Sequence, residues 1–169
     1  MMHWYAIYTK PRAEKKVFER LDEKKIETFL PLVEKVRIWK DRKKKLEMPL
    51  FPGYLFAKFD YKNRFDILQT DGIVKIINFR GVPAVVPDWQ IDSLRRLLEH
   101  PETLQLENAM QPDDLVEVIE GPFKGVKGSV RTIKNVSRLV IAIEGLQQSV
   151  SVEIESVFLK KIKEAATKV

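Results

Sequence analysis

The chain has 169 residues, 44% of them hydrophobic, enough for one ordinary domain or two small ones with real cores. It has no cysteine, so disulfides and thiolate metal sites are excluded, and no apolar run approaches the roughly 20 residues that span a bilayer. The net charge of +6 is unevenly spread: residues 1–62 carry 16 Lys/Arg against 9 Asp/Glu, and the remainder 14 against 15. A basic half joined to a neutral half points to an anionic partner for the first, most simply nucleic acid; a solvated Lys-rich surface is the alternative. Met1–Tyr5 lacks the regions of a signal peptide, so a soluble, cytoplasmic, monomeric protein with no membrane attachment is expected.

In chain order, Trp4–Tyr8 is β-branched and aromatic and reads as a strand. Pro11 suits the first turn of a helix over 11–25, amphipathic through Ala13, Val17 and Leu21. Residues 26–39 read as extended, 40–45 as a charged hairpin tip, and 46–59 as a returning strand. A short helix over 63–70 stops at Asp71-Gly72, Val74–Phe79 is a further strand, and Pro83–Val86 an edge segment. Asp88 caps a helix built on Ile91, Leu94, Leu97 and Leu98. Mixed elements in this order predict an antiparallel α/β sandwich over 1–99.

The pattern then dissolves over 100–112, which reads as a linker. Five short apolar runs follow at a rhythm of about ten residues: 115–119, 128–133, 139–143, 150–154 and 157–159. They predict a small SH3-like β-barrel over 113–162, with 163–169 as a frayed tail. The overall class is α+β.

Catalytic chemistry is hard to place. His3 and His100 have no His or Cys neighbour at ligand spacing, so no metal is expected. The glycines at 121, 125 and 128 fail as a phosphate loop, because a Walker loop needs Gly-Lys-Ser/Thr where this chain has Lys127-Gly128-Ser129. The acid pair Asp113-Asp114 has nothing to aim it at a substrate. The expectation is a binding protein, neither an enzyme nor a cofactor carrier.

Two segments join Gly/Pro turns to aromatics: Phe51-Pro52-Gly53-Tyr54-Leu55-Phe56 and Gly121-Pro122-Phe123-Lys124-Gly125-Val126-Lys127-Gly128. Alternation puts Tyr54 and Phe56 on one face of a strand and Leu55, Ala57 and Phe59 on the other. The second set is what a core would use. The first set is either an exposed docking patch or the second buried face of a central strand. Phe123 is likewise either an exposed anchor or a core residue.

The first segment, after the Trp4-Tyr5 strand and the Lys10-Pro11-Arg12 helix start, resembles the N-terminal domain of NusG-family transcription elongation factors. Residues 113–162 are similar to the KOW domain that follows it in that family. The resemblance implies a factor that rides on RNA polymerase, docking on the clamp helices of the largest subunit through Phe51, Pro52, Tyr54, Phe56 and Phe79. It also implies contact with non-template DNA in the transcription bubble, through Lys10, Arg12, Lys15 and Lys16 at the first helix and Arg42, Lys43, Lys44 and Lys45 at the hairpin. For the KOW-like part it implies the ribosomal protein NusE as partner, with Phe123 as anchor.

The stretches 49–57 and 83–87 look closer to specialised antiterminators of the RfaH and UpxY kind, which serve selected operons, often for surface polysaccharides; a housekeeping NusG is the runner-up. Two departures matter. Thr70-Asp71 replaces the basic DNA-reading pair of RfaH-like proteins, and Glu144–Gln148 replaces the Phe-Gly-Arg loop of housekeeping members, which counts against the terminator Rho as a partner. A KOW-type RNA- or ribosome-binding protein is a further alternative. It would need a basic barrel, yet residues 113–162 hold seven Lys/Arg and seven Asp/Glu.

Overall fold

A computed structural model describes residues 1–108, 115–133, 136–143, 145–146 and 148–163. Asp113, Asp114, Glu144, Gln147, Lys134, the segment 109–112 and the tail beyond residue 163 lie outside the described residues. The chain divides into two compact units, Met1–Pro87 and Asp88–Val169.

The first unit runs β1 (Met2–Thr9), α1 (Glu14–Glu23), β2 (Glu27–Phe29), β3 (Leu32–Trp39), β4 (Arg42–Pro49), β5 (Tyr54–Asp60), α2 (Arg64–Leu68), β6 (Ile73–Ile76), β7 (Asn78–Phe79), β8 (Val82–Pro83) and β9 (Val85–Val86). Its main sheet has the order β2-β5-β1-β6, all pairs antiparallel, with β9 also pairing β1. The period-2 pattern read from β5 places Leu55, Ala57 and Phe59 against Val17 and Leu21 of α1 and Ile67 of α2, with Tyr5, Ile7, Ile73 and Ile76 completing that core. Burying three full-sized aliphatic side chains from the two helices contributes roughly 1.5–3 kcal/mol each before entropy is subtracted.

Three details depart from the sequence reading. Helix α1 starts at Glu14, because Arg12 adopts φ 60° and turns the chain after Pro11. The extended stretch 26–39 is broken at Pro31, whose carbonyl accepts from Leu50 N at 2.8 Å. The charged hairpin is also longer and more regular than expected. Only Lys40-Asp41 forms the tip, and Arg42–Lys45 belong to β4. Strands β3 and β4 form a separate two-stranded ribbon in register from Leu32↔Pro49 to Trp39↔Arg42.

The second unit opens with α3 (Asp88–Leu97), followed by β10 (Leu104–Asn108), β11 (Leu115–Val118), β12 (Lys127–Ile133), β13 (Val136–Ala142), β14 (Gln148–Glu153) and β15 (Leu159–Lys163). The strands form one antiparallel sheet in the order β10-β14-β13-β12-β11-β15. Leu139 and Ile141 of β13 pair with Val152 and Val150 of β14, and all four are buried. The opposite face of these strands is closed too, with Ser149 and Ser151 buried and the Arg138 Nε donating to Ser151 Oγ at 2.9 Å.

Helix α3 groups with this sheet, whereas the sequence reading ends the first domain at residue 99. Its polar side chains explain the grouping: Gln90 Nε2 donates to the Ala142 carbonyl at 3.1 Å, and Ser93 Oγ accepts from Lys127 N at 3.1 Å. The reading of 100–112 as a linker also changes. Pro101–Thr103 form a short 3₁₀ turn, and 104–108 pair with β14 as an edge strand. The alternation Leu104, Gln105, Leu106, Glu107 is a strand pattern that Pro and acid-rich flanks obscure.

Candidate functional site

The turn before β5 is built from three directions. Gly53 has φ +87°, a conformation that L side chains avoid, and a Cβ placed there would lie 3.1 Å from the Tyr8 ring. Its carbonyl accepts from Thr9 N at 2.8 Å, which ties the turn to the end of β1. Its N–H donates to Glu14 Oε1 at 2.8 Å. Glu14 is buried, an unusual place for a carboxylate, and the bond to a backbone N–H offsets part of its lost hydration. The sequence pattern singles out neither Glu14 nor Tyr8. Local signals cannot find the first, because its partner is 39 positions away.

The five expected docking residues separate. Phe51 and Phe56 are 0% exposed, packed edge-on at 6.3 Å, with Phe29 stacked on Phe56 at 6.0 Å. They are core residues, which corrects their expected role as anchors open to a partner. The physical reason is that this end of the second face of β5 is covered too: the Phe29 ring of β2 and the Phe51 ring of the preceding turn both pack on Phe56. Pro52 is exposed, Tyr54 is half-buried, and Phe79 is 38% exposed beside the two-residue turn Arg80-Gly81. Tyr54 pairs with Tyr8 across the strands, their ring centroids 5.2 Å apart, and both rings keep solvent access. Burial pushes the Tyr54 phenol above its ordinary value, with Tyr8 adding to the shift, so the ring stays neutral across the physiological range.

The expected nucleic-acid residues fall into two groups. Lys10, Arg12, Lys15 and Lys16 are exposed at the β1–α1 junction. Here Asp71 intervenes: its carboxylate lies 3.8 Å from Lys10 Nζ and 3.4 Å from Arg20 Nη2, and its carbonyl accepts from Arg20 Nη1 at 2.8 Å. Arg42, Lys43, Lys44 and Lys45 are all exposed but do not form one cluster, because strand alternation sends Arg42 and Lys44 to one face and Lys43 and Lys45 to the other.

In the second unit Phe123 is 8% exposed, and the His100 ring meets it edge-on at 5.4 Å. It is a core residue, which corrects its expected role as a partner anchor. The loop that carries it is held by Gly125 N donating to the Val118 carbonyl at 2.8 Å, and by the Arg96 guanidinium donating to the Lys124 carbonyl. Among the described residues no three His, Asp or Glu side chains gather where they could hold a metal ion, and no helix is long and apolar enough to cross a membrane.

Residues 2–95 match the family described as "Transcription termination factor nusG". The chain is 26% identical to the transcription termination/antitermination protein NusG of Pseudomonas aeruginosa, covering 94% of this chain and 98% of the relative. It is also 26% identical to the NusG of Thermus thermophilus, covering 92% and 97%. Among solved structures, one of Thermotoga maritima NusG is similar at 20% identity and a TM-score of 0.49, covering 96% of this chain and 98% of that one. The match to the family over more than half its length shows that this chain belongs to the NusG family of transcription termination/antitermination factors.

Proposed function

We propose that the chain is an elongation factor that docks on RNA polymerase through the corner where β1 meets β5, and suppresses pausing and termination without catalysing a reaction. The observation that carries this reading is the Tyr8–Tyr54 pair: two rings 5.2 Å apart, half-open to solvent, on the sheet face opposite the α1 core. Aromatic side chains with an apolar body and a polar tip are favoured as interface anchors. Pro52 extends the corner and Phe79 adds exposed apolar surface, so the docking set becomes Tyr8, Pro52, Tyr54 and Phe79. The clamp helices of the polymerase's largest subunit are the proposed partner, and the exposed cations of the first unit are proposed to face non-template DNA.

Service to selected operons is the favoured role, supported by the Glu144–Gln148 segment in place of a Phe-Gly-Arg loop. The second unit is proposed to meet a protein, NusE by family resemblance, since the equal numbers of acids and bases in residues 113–162 suit a protein better than an RNA backbone. Its contact surface must exclude Phe123.

The test is polymerase binding by the full chain carrying Tyr8→Ala and Tyr54→Ala. Loss of two hot-spot rings at about 2 kcal/mol each predicts a fall in affinity of well over 100-fold. Unchanged affinity in a folded variant overturns the docking assignment. Transcription with and without a leader from the protein's own operon separates a selective role from a general one.

A further inference from the structure

The β3–β4 ribbon has two chemically different faces. Directly opposed residues share a face, so the register places Lys35, Arg37 and Trp39 of β3 beside Arg42, Lys44 and Leu46 of β4. The other face holds Glu34, Val36 and Ile38 beside Lys43, Lys45 and Glu47. The first face therefore carries four cations and no carboxylate. The second carries two of each, and Lys45 Nζ lies 3.0 Å from Glu34 Oε1.

On the cationic face Trp39 is 56% exposed, and the Lys44 ammonium lies over its ring, 5.9 Å from the centroid. An exposed indole carries no advantage for a two-stranded ribbon with no core beneath it. Cations spaced along two strands around an open aromatic plane are what an unpaired nucleotide chain needs: phosphates meet the cations and a base stacks on the ring. A duplex offers no free base face to that ring.

We propose that the Trp39 face of the ribbon binds single-stranded DNA, with Trp39 as the base-stacking platform and Lys35, Arg37, Arg42 and Lys44 as the phosphate contacts. The choice of DNA rests on the function proposed above, while the surface and its chemistry stand on the register alone. The ribbon acts by one face, so Lys43 and Lys45 are bystanders. The Lys10 region is secondary, because Asp71 offsets its charge.

The experiment uses the full chain, without polymerase, and a fluorescently labelled oligothymidylate read by anisotropy. Trp39→Ala is expected to lower affinity about ten-fold or more, and Trp39→Phe to keep most of it. Arg42→Gln with Lys44→Gln is expected to flatten the slope of log affinity against log salt by about 1.4, from about 0.7 per lost phosphate contact. Lys43→Gln with Lys45→Gln is expected to change it by less than half as much. Indole emission quenched by the oligonucleotide in the native chain, but not in Trp39→Phe, supports stacking at this ring.

Affinity of Trp39→Ala within two-fold of native overturns the proposal, as do equal losses from the two charge-pair variants. Tighter binding of a duplex or of oligouridylate overturns the assignment to single-stranded DNA. The Tyr8→Ala, Tyr54→Ala variant is expected to bind the oligonucleotide normally, so failure of the docking reading and failure of this one are distinguishable.

Discussion

The two Gly/Pro–aromatic turns look alike as sequence and are both braced from a helix, yet the braces are opposite in sign and setting. At Gly53 the brace is an anion: buried Glu14 of α1 accepts from the backbone N–H. At Lys124 it is a cation: exposed Arg96 of α3 donates to the backbone carbonyl. In both, the phenylalanines beside the turn point inward. A glycine-rich turn next to aromatics is therefore first a device for seating rings in a core. What such a turn offers a partner is the residue left half-open beside it, Tyr54 in the first case.

The comparison breaks most decisively at the core ring. Phe56→Ala should destabilise the chain by about 3–5 kcal/mol, because it leaves a cavity between β5 and its neighbours. Chemical denaturation reads this directly, and a loss under about 1 kcal/mol would return Phe56 to the surface.

The braces come next. Glu14→Ala strips a part-buried N–H of its partner and should cost about 1–3 kcal/mol, with faster amide exchange at Gly53. Arg96→Ala removes an exposed contact and should cost no more than about 1 kcal/mol, visible as faster exchange confined to residues 121–128. Equal costs for the two would erase the distinction between a buried and a surface brace.

Most elements were legible because periodicity reports them. The α1 stripe Val17 and Leu21, the α3 stripe Ile91, Leu94 and Leu97, and the Leu55, Ala57, Phe59 face all lie where the pattern puts them. Alternation separates two strand faces but does not say whether both are covered, so it left Phe56 open between surface and core, and the docking role of Phe51 and Phe56 came from the family resemblance alone. Coverage depends on which rings pack over the face, here Phe29 and Phe51 on Phe56, and Phe29 is brought there by the long-range pairing of β2 with β5. The basic run 42–45 is divided for a related reason. Consecutive residues look like one patch until a cross-strand register splits them. Strand β10 was hidden by its flanks, and Glu14 by the sequence distance to Gly53.

The β3–β4 ribbon has one more consequence. Neither strand pairs with any other among the described residues, so each presents an open row of backbone donors and acceptors. Such edges invite a second chain to add a strand and start a fibre. Lysine and arginine along both strands make that approach repulsive, because two copies would bring like charges together. The charges proposed to meet phosphate thus also keep the protein from sticking to itself. Variants that neutralise all of them should be followed for aggregation as well as for lost affinity.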